Sequence, residues 1–367
     1  MPVQTAFSTK QLPEAVVELR QQSEATKPRV TIYFASTKYD PAMLGKQMKD
    51  AFPDSILVGC STAGEITSGK MLSGSVVAMF LGSEIIEDAA VAVIEDLNSE
   101  AAVKKAFAGF ERHFGCPLAD MDLHRHVGII LVDGLSGAEE RLMEKIGDLT
   151  DLLFVGGAAG DDLKFQGTHV FADGKVFSRA AVLLLLKLRK GFEVLKTQSF
   201  CSTGKKLVAT AVDTASRKVI SLNGRPALEA YAEAVGLPPA QAPSVFMKHP
   251  LGLIVEGEPF VRSPRAVEGS SILFYCQIRE GMELELLDAG DIVNDTRRAV
   301  EAKQAELGRL AGVIDFHCIL RTLQLRDEKR CDSYGSIFTN IPAVGFSTYG
   351  EEYLGHINQT STMLLLR

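Results

Sequence analysis

Short apolar runs alternate with amphipathic segments along most of the chain. The run 29–35 (RVTIYFA) is rich in β-branched and aromatic residues and predicts a buried strand. Asp40 and Pro41 follow it as a helix N-cap and a first-turn proline, and residues 44, 48 and 52 place apolar side chains on one helical face. A second apolar run then leads into a glycine-rich turn at 58–66. This order predicts a strand, a helix and a strand in succession.

The same alternation continues through the first half of the chain. A helix is predicted to begin at Asn98 or Ser99, to carry a phenylalanine-rich stripe and to end before Gly115. Residues 127–132 form an apolar strand that ends at Asp133, where open α/β sheets present polar groups to ligands. The fold class predicted from this pattern is α/β, with two related domains of mixed β-sheets and packed helices.

A domain boundary is predicted near residue 220. Before it, 192–219 reads as a strand-rich meander, and after it a helix closed by Gly236 begins behind Asn223-Gly224-Arg225-Pro226. We therefore divide the chain into domains 1–220 and 221–367, with a hinge at 221–225 and a ligand that bridges the domains. The second domain is predicted to contain a polar helix at 295–310 and a buried strand at 312–320.

A glycine-rich phrase occurs twice. Residues 58–65 read VGCSTAGE and residues 344–351 read VGFSTYGE, with a weaker echo, VGGAAGD, at 155–161. Glycines recur wherever buried strands enter tight turns, but that requirement does not explain the repeated Ser-Thr and Glu. We therefore expect both turns to line one pocket.

Two better-known motifs fail at the first turn. Residues 64–70 spell G-x-x-x-x-G-K, but Met71 replaces the Ser or Thr that would ligate magnesium, and the next residues read as a strand. A nucleophile elbow requires G-x-S-x-G, and residues 59–64 contain one residue too many.

Composition narrows the class of protein. The 367 residues carry a net charge of −7 without a basic cluster, which argues against nucleic acid as the partner. The N-terminal sequence lacks the apolar core of a signal peptide and no apolar run is long enough for a membrane span, so a cytoplasmic location without membrane contact is expected. Six cysteines without a C-x-x-C spacing indicate free thiols, and no metal site is expected.

Six motifs in order resemble the FIST sensory proteins, and the likeness covers nearly the whole chain. They are Gly59–Glu65, Val132–Gly134, Leu222–Ala227, Cys318-x-x-Arg321, Gly345–Glu351 and His356–Thr360. The resemblance implies a FIST N-terminal domain (1–220) and a FIST C-terminal domain (221–367). It also implies small-ligand sensing in bacterial signal transduction, coupled to histidine kinases in two-component regulation, cyclic-di-GMP enzymes or chemoreceptors. A stand-alone subgroup of similar length binds haem and senses nitric oxide.

Small polar side chains and backbone N–H groups in the two turns suit the recognition of a small polar ligand. Glu65 and Glu351 would either accept hydrogen bonds from an amine or cap the following elements. The ligand-binding residues predicted from the turns and motifs are Gly59, Cys60, Ser61, Thr62, Gly64, Glu65, Asp133, Arg321, Ser347, Thr348, Tyr349, Gly350, Glu351 and Asn358.

Haem would require an axial ligand, most simply a neutral histidine. The candidates are His249, His317 and His356, although single histidines in such places more often have structural roles. The absence of C-x-x-C-H makes any haem non-covalent.

A non-catalytic sensor is favoured over two alternatives. The first is a hydrolase or transferase with Cys60, Ser61 or Cys318 as nucleophile, although no base is visible in the sequence beside Cys60 and Ser61. The second is a purely structural adaptor. Homodimer formation is left open.

Overall fold

A computed structural model describes residues 2–367, which fall into two compact units. Unit 1 comprises the chain up to Thr197 together with Arg297–His356 and Ser361–Arg367, and unit 2 comprises Gln198–Thr296 and Ile357–Thr360. The fold class is α/β, as predicted. The predicted sequence boundary at 220/221 lies inside unit 2 and is a different division from that into compact units.

The α-helices of the described residues occupy both units. They are α1 (Glu14–Gln22), α2 (Pro41–Ala51), α3 (Glu100–Phe114), α4 (Glu139–Gly147), α5 (Ala227–Val235), α6 (Ile292–Leu307), α7 (Ile319–Asp327) and α8 (Cys331–Gly335).

The β-strands of residues 2–367 form four sheets. They are β1 (Val3–Ser8), β2 (Val30–Ser36), β3 (Ile56–Thr62), β4 (Glu65–Thr67), β5 (Lys70–Leu72), β6 (Val76–Leu81), β7 (Ile86–Ile94), β8 (His126–Val132), β9 (Phe154–Ala158), β10 (Val170–Ala172), β11 (Lys175–Phe177), β12 (Ala181–Leu188), β13 (Phe192–Thr197), β14 (Phe200–Asp213), β15 (Lys218–Leu222), β16 (Arg225–Pro226), β17 (Leu251–Val255), β18 (Glu258–Arg262), β19 (Pro264–Glu268), β20 (Ser271–Phe274), β21 (Glu283–Ala289), β22 (Gly312–Cys318), β23 (Ala343–Thr348), β24 (Glu351–Tyr353), β25 (His356–Ile357) and β26 (Ser361–Leu366).

Unit 1 contains three copies of one motif, each in its own mixed sheet. The strand orders are β1-β6-β2-β3-β10-β11 in sheet 1, β25-β24-β9-β8-β12-β7 in sheet 2 and β13-β26-β22-β23-β4-β5 in sheet 3. In each sheet two parallel strands flank helical segments: β2 and β3 flank α2, β8 and β9 flank α4, and β22 and β23 flank α7 and α8. A later strand, β6, β12 or β26, pairs antiparallel with the first strand of each pair. We call these groups repeats 1, 2 and 3.

The repeats exchange hairpins in a cycle. The hairpin β4–β5, which follows the parallel pair of repeat 1, joins β23 in sheet 3. The hairpin β10–β11 of repeat 2 joins β3 in sheet 1, and β24 of repeat 3 joins β9 in sheet 2. Each exchanged hairpin covers a strand that would otherwise be an exposed edge. The repeats therefore complete one another's sheets.

The glycine at the second position of each repeated phrase is required by the parallel pairing. A Cβ added to Gly59 would lie 2.1 Å from the Tyr33 carbonyl oxygen, and one added to Gly345 would lie 2.2 Å from that of Asp315. In repeat 2, a Cβ on Gly156 would lie 1.7 Å from the carbonyl oxygen of Ile130. Equivalent residues thus face one another across all three parallel pairs, which confirms that the echo at 155–161 is structural.

One apolar core is shared by the inner faces of sheets 1, 2 and 3. It includes Ile32 and Phe34 from β2, Ile129 from β8, and Ile314 and Phe316 from β22. Helices α1 and α2 cover the outer face of sheet 1, and α3 and α4 cover that of sheet 2. The outer face of sheet 3 differs because β22 presents the buried polar residues Asp315 and His317 there.

Unit 2 is built on one antiparallel sheet with the order β18-β17-β21-β14-β15-β20-β19, and β16 pairs with β15. Helix α5 packs Ala227 and Tyr231 into the core of this sheet and ends at Gly236, which has φ +74°. Asn223 N donates to Val208 O at 2.8 Å and Gly224 N donates to Thr210 Oγ1 at 2.9 Å. The hinge predicted at 221–225 thus falls on a hydrogen-bonded turn inside unit 2, and it stays a prediction.

Local signals predicted the helix ends well. The Asp40 carboxylate accepts from Met43 N at 2.7 Å, Ser99 caps α3, and Gly115 ends that helix in the left-handed conformation. The polar helix α6 begins before the predicted 295 because the Asp291 side chain accepts from Val293 N at 3.0 Å. Strand β22 ends at Cys318, two residues before the predicted end, and α7 begins at once.

Candidate functional site

The two turns that share Ser-Thr-x-Gly-Glu contact each other directly. Ser347 N donates to Gly64 O at 2.7 Å, and Ala63 N donates to Ser347 O at 3.2 Å. The third turn joins them through Gly160 N, which donates to Ser61 O at 2.9 Å. The ends of the three repeats are thus joined by backbone hydrogen bonds.

The Ser and Thr hydroxyls in these turns are buried, and two of the four donate to backbone carbonyls of another repeat. Ser61 Oγ donates to Gly160 O at 2.7 Å, and Thr348 Oγ1 donates to Ala158 O at 2.7 Å. Ser61 and Thr348 thus each satisfy a carbonyl of repeat 2. The other two hydroxyls bond within their own repeats, Thr62 to Glu65 and Ser347 to Thr322.

Glu65 is buried, and its carboxylate accepts hydrogen bonds from its own repeat. It accepts from Ser75 N at 3.0 Å, from Ser75 Oγ at 2.6 Å and from Thr62 Oγ1. Burial raises the pKa of Glu65 to about 7, although these hydrogen bonds lower it. Glu65 therefore fixes the turn between β3 and the exchanged hairpin, and Glu351 is buried at the start of the equivalent strand β24.

The remaining predicted residues lie in several places. Tyr349 donates from its hydroxyl to Asp161 at 2.5 Å, and Gly350 O accepts from Ala158 N at 2.8 Å. Asp133 accepts from Thr168 Oγ1 at 2.6 Å at the end of β8. Asn358 belongs to unit 2. The structure thus brings the turn residues together but assigns Asn358 to the other unit.

The proposed nucleophiles are poorly placed for catalysis. Cys60 lies in the shared apolar core, where burial raises the pKa of its thiol well above the usual value. Ser61 Oγ accepts from His169 N at 2.9 Å, but the His169 ring contacts Ser178 Oγ at 2.9 Å. Cys318 is buried at the start of α7. Within residues 2–367, no imidazole is hydrogen-bonded to the Cys60 thiol or the Ser61 hydroxyl as a general base would be.

A buried polar network occupies the outer face of sheet 3. Tyr334 of α8 donates from its hydroxyl to Asp315 Oδ2 at 2.9 Å, and Ser361 Oγ of β26 donates to Asp315 Oδ1 at 2.6 Å. His317 Nδ1 lies 3.0 Å from the Tyr334 hydroxyl oxygen. Arg321 is also fully buried here, and its charge acts on this network. We call Asp315, His317, Arg321, Tyr334 and Ser361 the sheet 3 cluster.

The electrostatics of this cluster define the state of its histidine. Burial, followed by the Arg321 charge, lowers the pKa of His317 well below its usual value, so the imidazole is neutral. Because the Tyr334 hydroxyl hydrogen is directed to Asp315, the hydroxyl oxygen accepts from Nδ1–H of His317. Nε2 is then an acceptor, and it is buried without a hydrogen-bond partner among residues 2–367. Burial also raises the pKa of Asp315 to about 6, against the effects of Ser361, Tyr334 and Arg321.

The sequence predicted part of this cluster. Arg321 and His317 were each singled out, and Ser347 beside them contacts Thr322 Oγ1 at 2.7 Å. Asp315, Tyr334 and Ser361 were missed. Polar residues at 315 and 317, two apart in an otherwise apolar strand, share one face and were a readable signal for Asp315.

The structure contains a histidine suited to ligate haem iron, but this histidine is fully buried. A neutral histidine with Nδ1 held by a second group is the ligand type that haem iron accepts. His317, however, is fully buried, and it does not line the cavity of about 430 Å³ described below. His249 Nδ1 contacts Asp288 at 2.7 Å in unit 2, and His356 Nδ1 contacts Glu352 at 3.0 Å. None of these three histidines lines that cavity.

No group of three or more His, Cys, Asp or Glu side chains in residues 2–367 is arranged to hold a metal ion. Within the same residues, no helix combines the length and apolar character needed to cross a membrane.

The described residues thus form three repeated α/β groups joined by buried polar turns and a second unit built on an antiparallel sheet. The FIST N domain matches residues 29–225 and the FIST C domain matches residues 227–353, so the chain belongs to the FIST family. FIST domains are in general non-catalytic sensory domains of signal transduction that bind small ligands.

An uncharacterized protein of Methanocaldococcus jannaschii is 23% identical over 276 residues. The match covers 71% of this chain and 53% of that protein, so the chain spans about half the length of this curated relative.

Proposed function

We propose that this chain is a non-catalytic sensor whose small ligand donates a hydrogen bond to Nε2 of His317. The supporting observation is that Nε2 is a fully buried acceptor without a partner among residues 2–367. Leaving such a group unsatisfied costs about 1–3 kcal/mol, and a ligand N–H or O–H would recover that cost.

The surrounding contacts suit recognition by a prepared acceptor. Tyr334 and Asp315 fix the imidazole orientation, while Ser347 and Thr322 supply hydroxyls at the same end of sheet 3. This end lies at the carboxyl ends of the parallel strands β22 and β23, where open α/β sheets bind ligands. The positive charge of Arg321 favours a ligand that is neutral or anionic.

The test is ligand retention during native purification. Small molecules released from the denatured wild-type protein would be identified by mass spectrometry and compared with those from His317→Phe and His249→Phe. We expect one compound to be lost from His317→Phe only. Equal retention by both variants, or its loss from His249→Phe alone, would contradict the assignment to His317.

The nitric-oxide-sensing haem function remains a separate prediction. An absorption spectrum of protein from haem-replete cells tests it, since bound haem gives an intense Soret band. A band that is lost in His317→Phe would make haem the ligand of Nε2 and would require the closed site to open. A spectrum without that band would leave the hydrogen-bonding ligand as the better account.

We propose that ligand binding changes the interaction of this chain with a histidine kinase or a cyclic-di-GMP enzyme. Ligand binding changes partner affinity only if the ligand favours one conformation over another. A coupling of about 1–3 kcal/mol corresponds to a 5- to 150-fold change in partner affinity. Titration of the partner with ligand-free and loaded protein measures this change, and equal affinities with unchanged partner activity would favour storage or transport.

A further inference from the structure

The three exchanged hairpins place their tips at equivalent positions. Each tip carries a glycine with positive φ: Gly69 at +80°, Gly174 at +82° and Gly355 at +129°. Each tip belongs to a hairpin added to the second parallel strand of the receiving repeat. This equivalence allows the three places to be compared directly.

Two of the three hairpin tips are packed against neighbouring residues. A Cβ added to Gly174 would lie 2.7 Å from Lys49 Cβ, and a Cβ added to Gly45 of α2 would lie 2.9 Å from Gly174 O. A Cβ on Gly69 would lie 3.5 Å from Thr339 Oγ1, in the segment that follows α8. The hairpin tips of repeats 2 and 1 are therefore packed against the repeats that receive them.

The third hairpin tip, at Gly355, borders an open cleft. A Cβ added to Gly355, or to Gly147 at the end of α4, would meet no atom within 4 Å. Here a cleft of about 430 Å³ separates α4 and the start of β9 from the hairpin tip. Its apolar lining consists of Met143, Ile146, Leu152, Leu153, Phe154 and Leu354. This volume lies within the roughly 300–1,000 Å³ that is typical of small-molecule sites.

The charges around this cleft have one sign. Glu144, Asp148 and Asp151 line it, and no Lys or Arg does. The nearby Lys145 directs its ammonium group to Asn98 O at 2.9 Å. The carboxyl end of the nine-residue helix α4 also lies at the cleft, and its dipole adds negative potential.

We propose that this cleft, henceforth the α4 cleft, binds a small organic cation with an apolar body, such as an alkylammonium ion. The apolar body would occupy the surface between Ile146, Phe154 and Leu354, and the cationic head would lie at Asp148 and Asp151. The site belongs to repeat 2 and is separate from the sheet 3 cluster, so its failure would leave the proposed function untouched.

Three probes of similar size test the charge preference: hexylammonium, hexanol and hexanoate. We expect hexylammonium to bind most tightly by calorimetry and to shift amide resonances of residues 143–155 in NMR spectra. The double variant Asp148→Asn/Asp151→Asn should weaken hexylammonium binding roughly 2- to 10-fold, the scale of two exposed ion pairs, and leave hexanol binding unchanged. Hexanoate binding as tightly as hexylammonium would overturn the proposal.

A matched pair of glycine variants tests the location. Gly147→Leu places a side chain in the α4 cleft and should abolish hexylammonium binding. Gly109→Leu adds the same side chain to α3, where a Cβ also meets nothing within 4 Å, and should leave binding unchanged. Thermal unfolding confirms that both variants fold. Unchanged binding by Gly147→Leu, or binding of a lysine-rich peptide but of none of the probes, would refute the small-cation site.

Discussion

The backbone N–H of Ser347 donates to the carbonyl oxygen of Gly64 at 2.7 Å, so repeat 3 is joined to repeat 1 at the shared Ser-Thr-x-Gly-Glu phrase. The contact is close as well as hydrogen-bonded, since a Cβ on Gly64 would lie 2.9 Å from Ser347 Oγ. The phrase that first suggested a ligand pocket is therefore also the place where the repeats meet.

Gly64→Ala should lower the free energy of unfolding of unit 1 by about 2–4 kcal/mol. Gly64 has φ +144°, which strains an alanine, and the new Cβ would press on Ser347 Oγ. Gly137→Ala is the control, because Gly137 also has positive φ, +62°, but meets no atom within 4 Å. Chemical denaturation should show about 1 kcal/mol for the control. Equal losses would show that backbone strain alone, and not the contact with Ser347, makes Gly64 necessary.

Glu65 should make unit 1 less stable as the pH rises from about 4.5 to 7. Its pKa is raised from 4.5 to about 7 in the folded protein, so across this range the native state keeps a proton that the unfolded state has lost. The free energy of unfolding then falls with pH by about 3 kcal/mol in total. Denaturation midpoints between pH 4.5 and 8 measure the slope.

Glu65→Gln provides the matching variant, since its amide resembles the protonated carboxyl. The variant should unfold near the wild-type midpoint at pH 4.5 and should lose less stability as the pH rises. Asp315, whose pKa is raised from 3.8 to about 6, contributes a slope of the same sign that the variant retains. An unchanged slope in Glu65→Gln would show that Glu65 ionises normally in the folded state.

Local chemistry carried most of what the sequence predicted correctly. The caps Asp40, Ser99 and Gly115 depend on a few adjacent residues, and their helices begin or end where the pattern indicates. The exchange of hairpins was not predictable in this way. Strand β4 at residues 65–67 pairs with β23 at residues 343–348, and the short exchanged strands carry no sequence signal for such distant partners.

For the candidate site too, single residues could be predicted from the sequence but their tertiary arrangement could not. Arg321 and His317 were selected as single residues from motifs and residue type, but their assembly depends on tertiary packing. Tyr334 comes from the short helix α8, and only the fold brings its hydroxyl to both Asp315 and His317. The sequence could not decide the roles of Glu65 and Glu351. A glutamate would serve equally well as a buried structural carboxylate and as a ligand-binding one.

Cysteine reactivity distinguishes the sensor from the hydrolase or transferase. Cys60 and Cys318 are buried, whereas Cys201 is exposed. Because the raised pKa of Cys60 keeps it a thiol, iodoacetamide should modify Cys201 first and leave Cys60 unmodified in the folded protein. Peptide mass spectrometry measures the order, and labelling after denaturation is the control. Cys60→Ala should keep ligand affinity within a few-fold, and stoichiometric acylation of Cys60 by an ester or amide would establish the enzyme instead.

The tautomer of His317 gives the most direct test of the sheet 3 cluster. If the Tyr334 hydroxyl accepts from Nδ1–H, the wild-type imidazole should be neutral with Nε2 unprotonated, and ¹⁵N-detected NMR should show this state between pH 5 and 8. His126 is an internal reference, because its Nδ1 lies 2.9 Å from the Asp122 carbonyl oxygen and must carry the proton.

Tyr334→Phe should remove the preference of His317 for the tautomer protonated at Nδ1. The variant removes the acceptor at Nδ1 of His317 and the donor to Asp315, and each buried group left unsatisfied costs about 1–3 kcal/mol. We expect a mixture of the two neutral tautomers and weaker retention of the co-purified ligand, since Nε2–H cannot accept a hydrogen bond. Asp315→Asn should change the tautomer less, because the Tyr334 oxygen remains beside Nδ1. A wild-type spectrum with the proton on Nε2 would contradict the proposed acceptor, because Nε2 would then donate and the ligand would have to carry an acceptor.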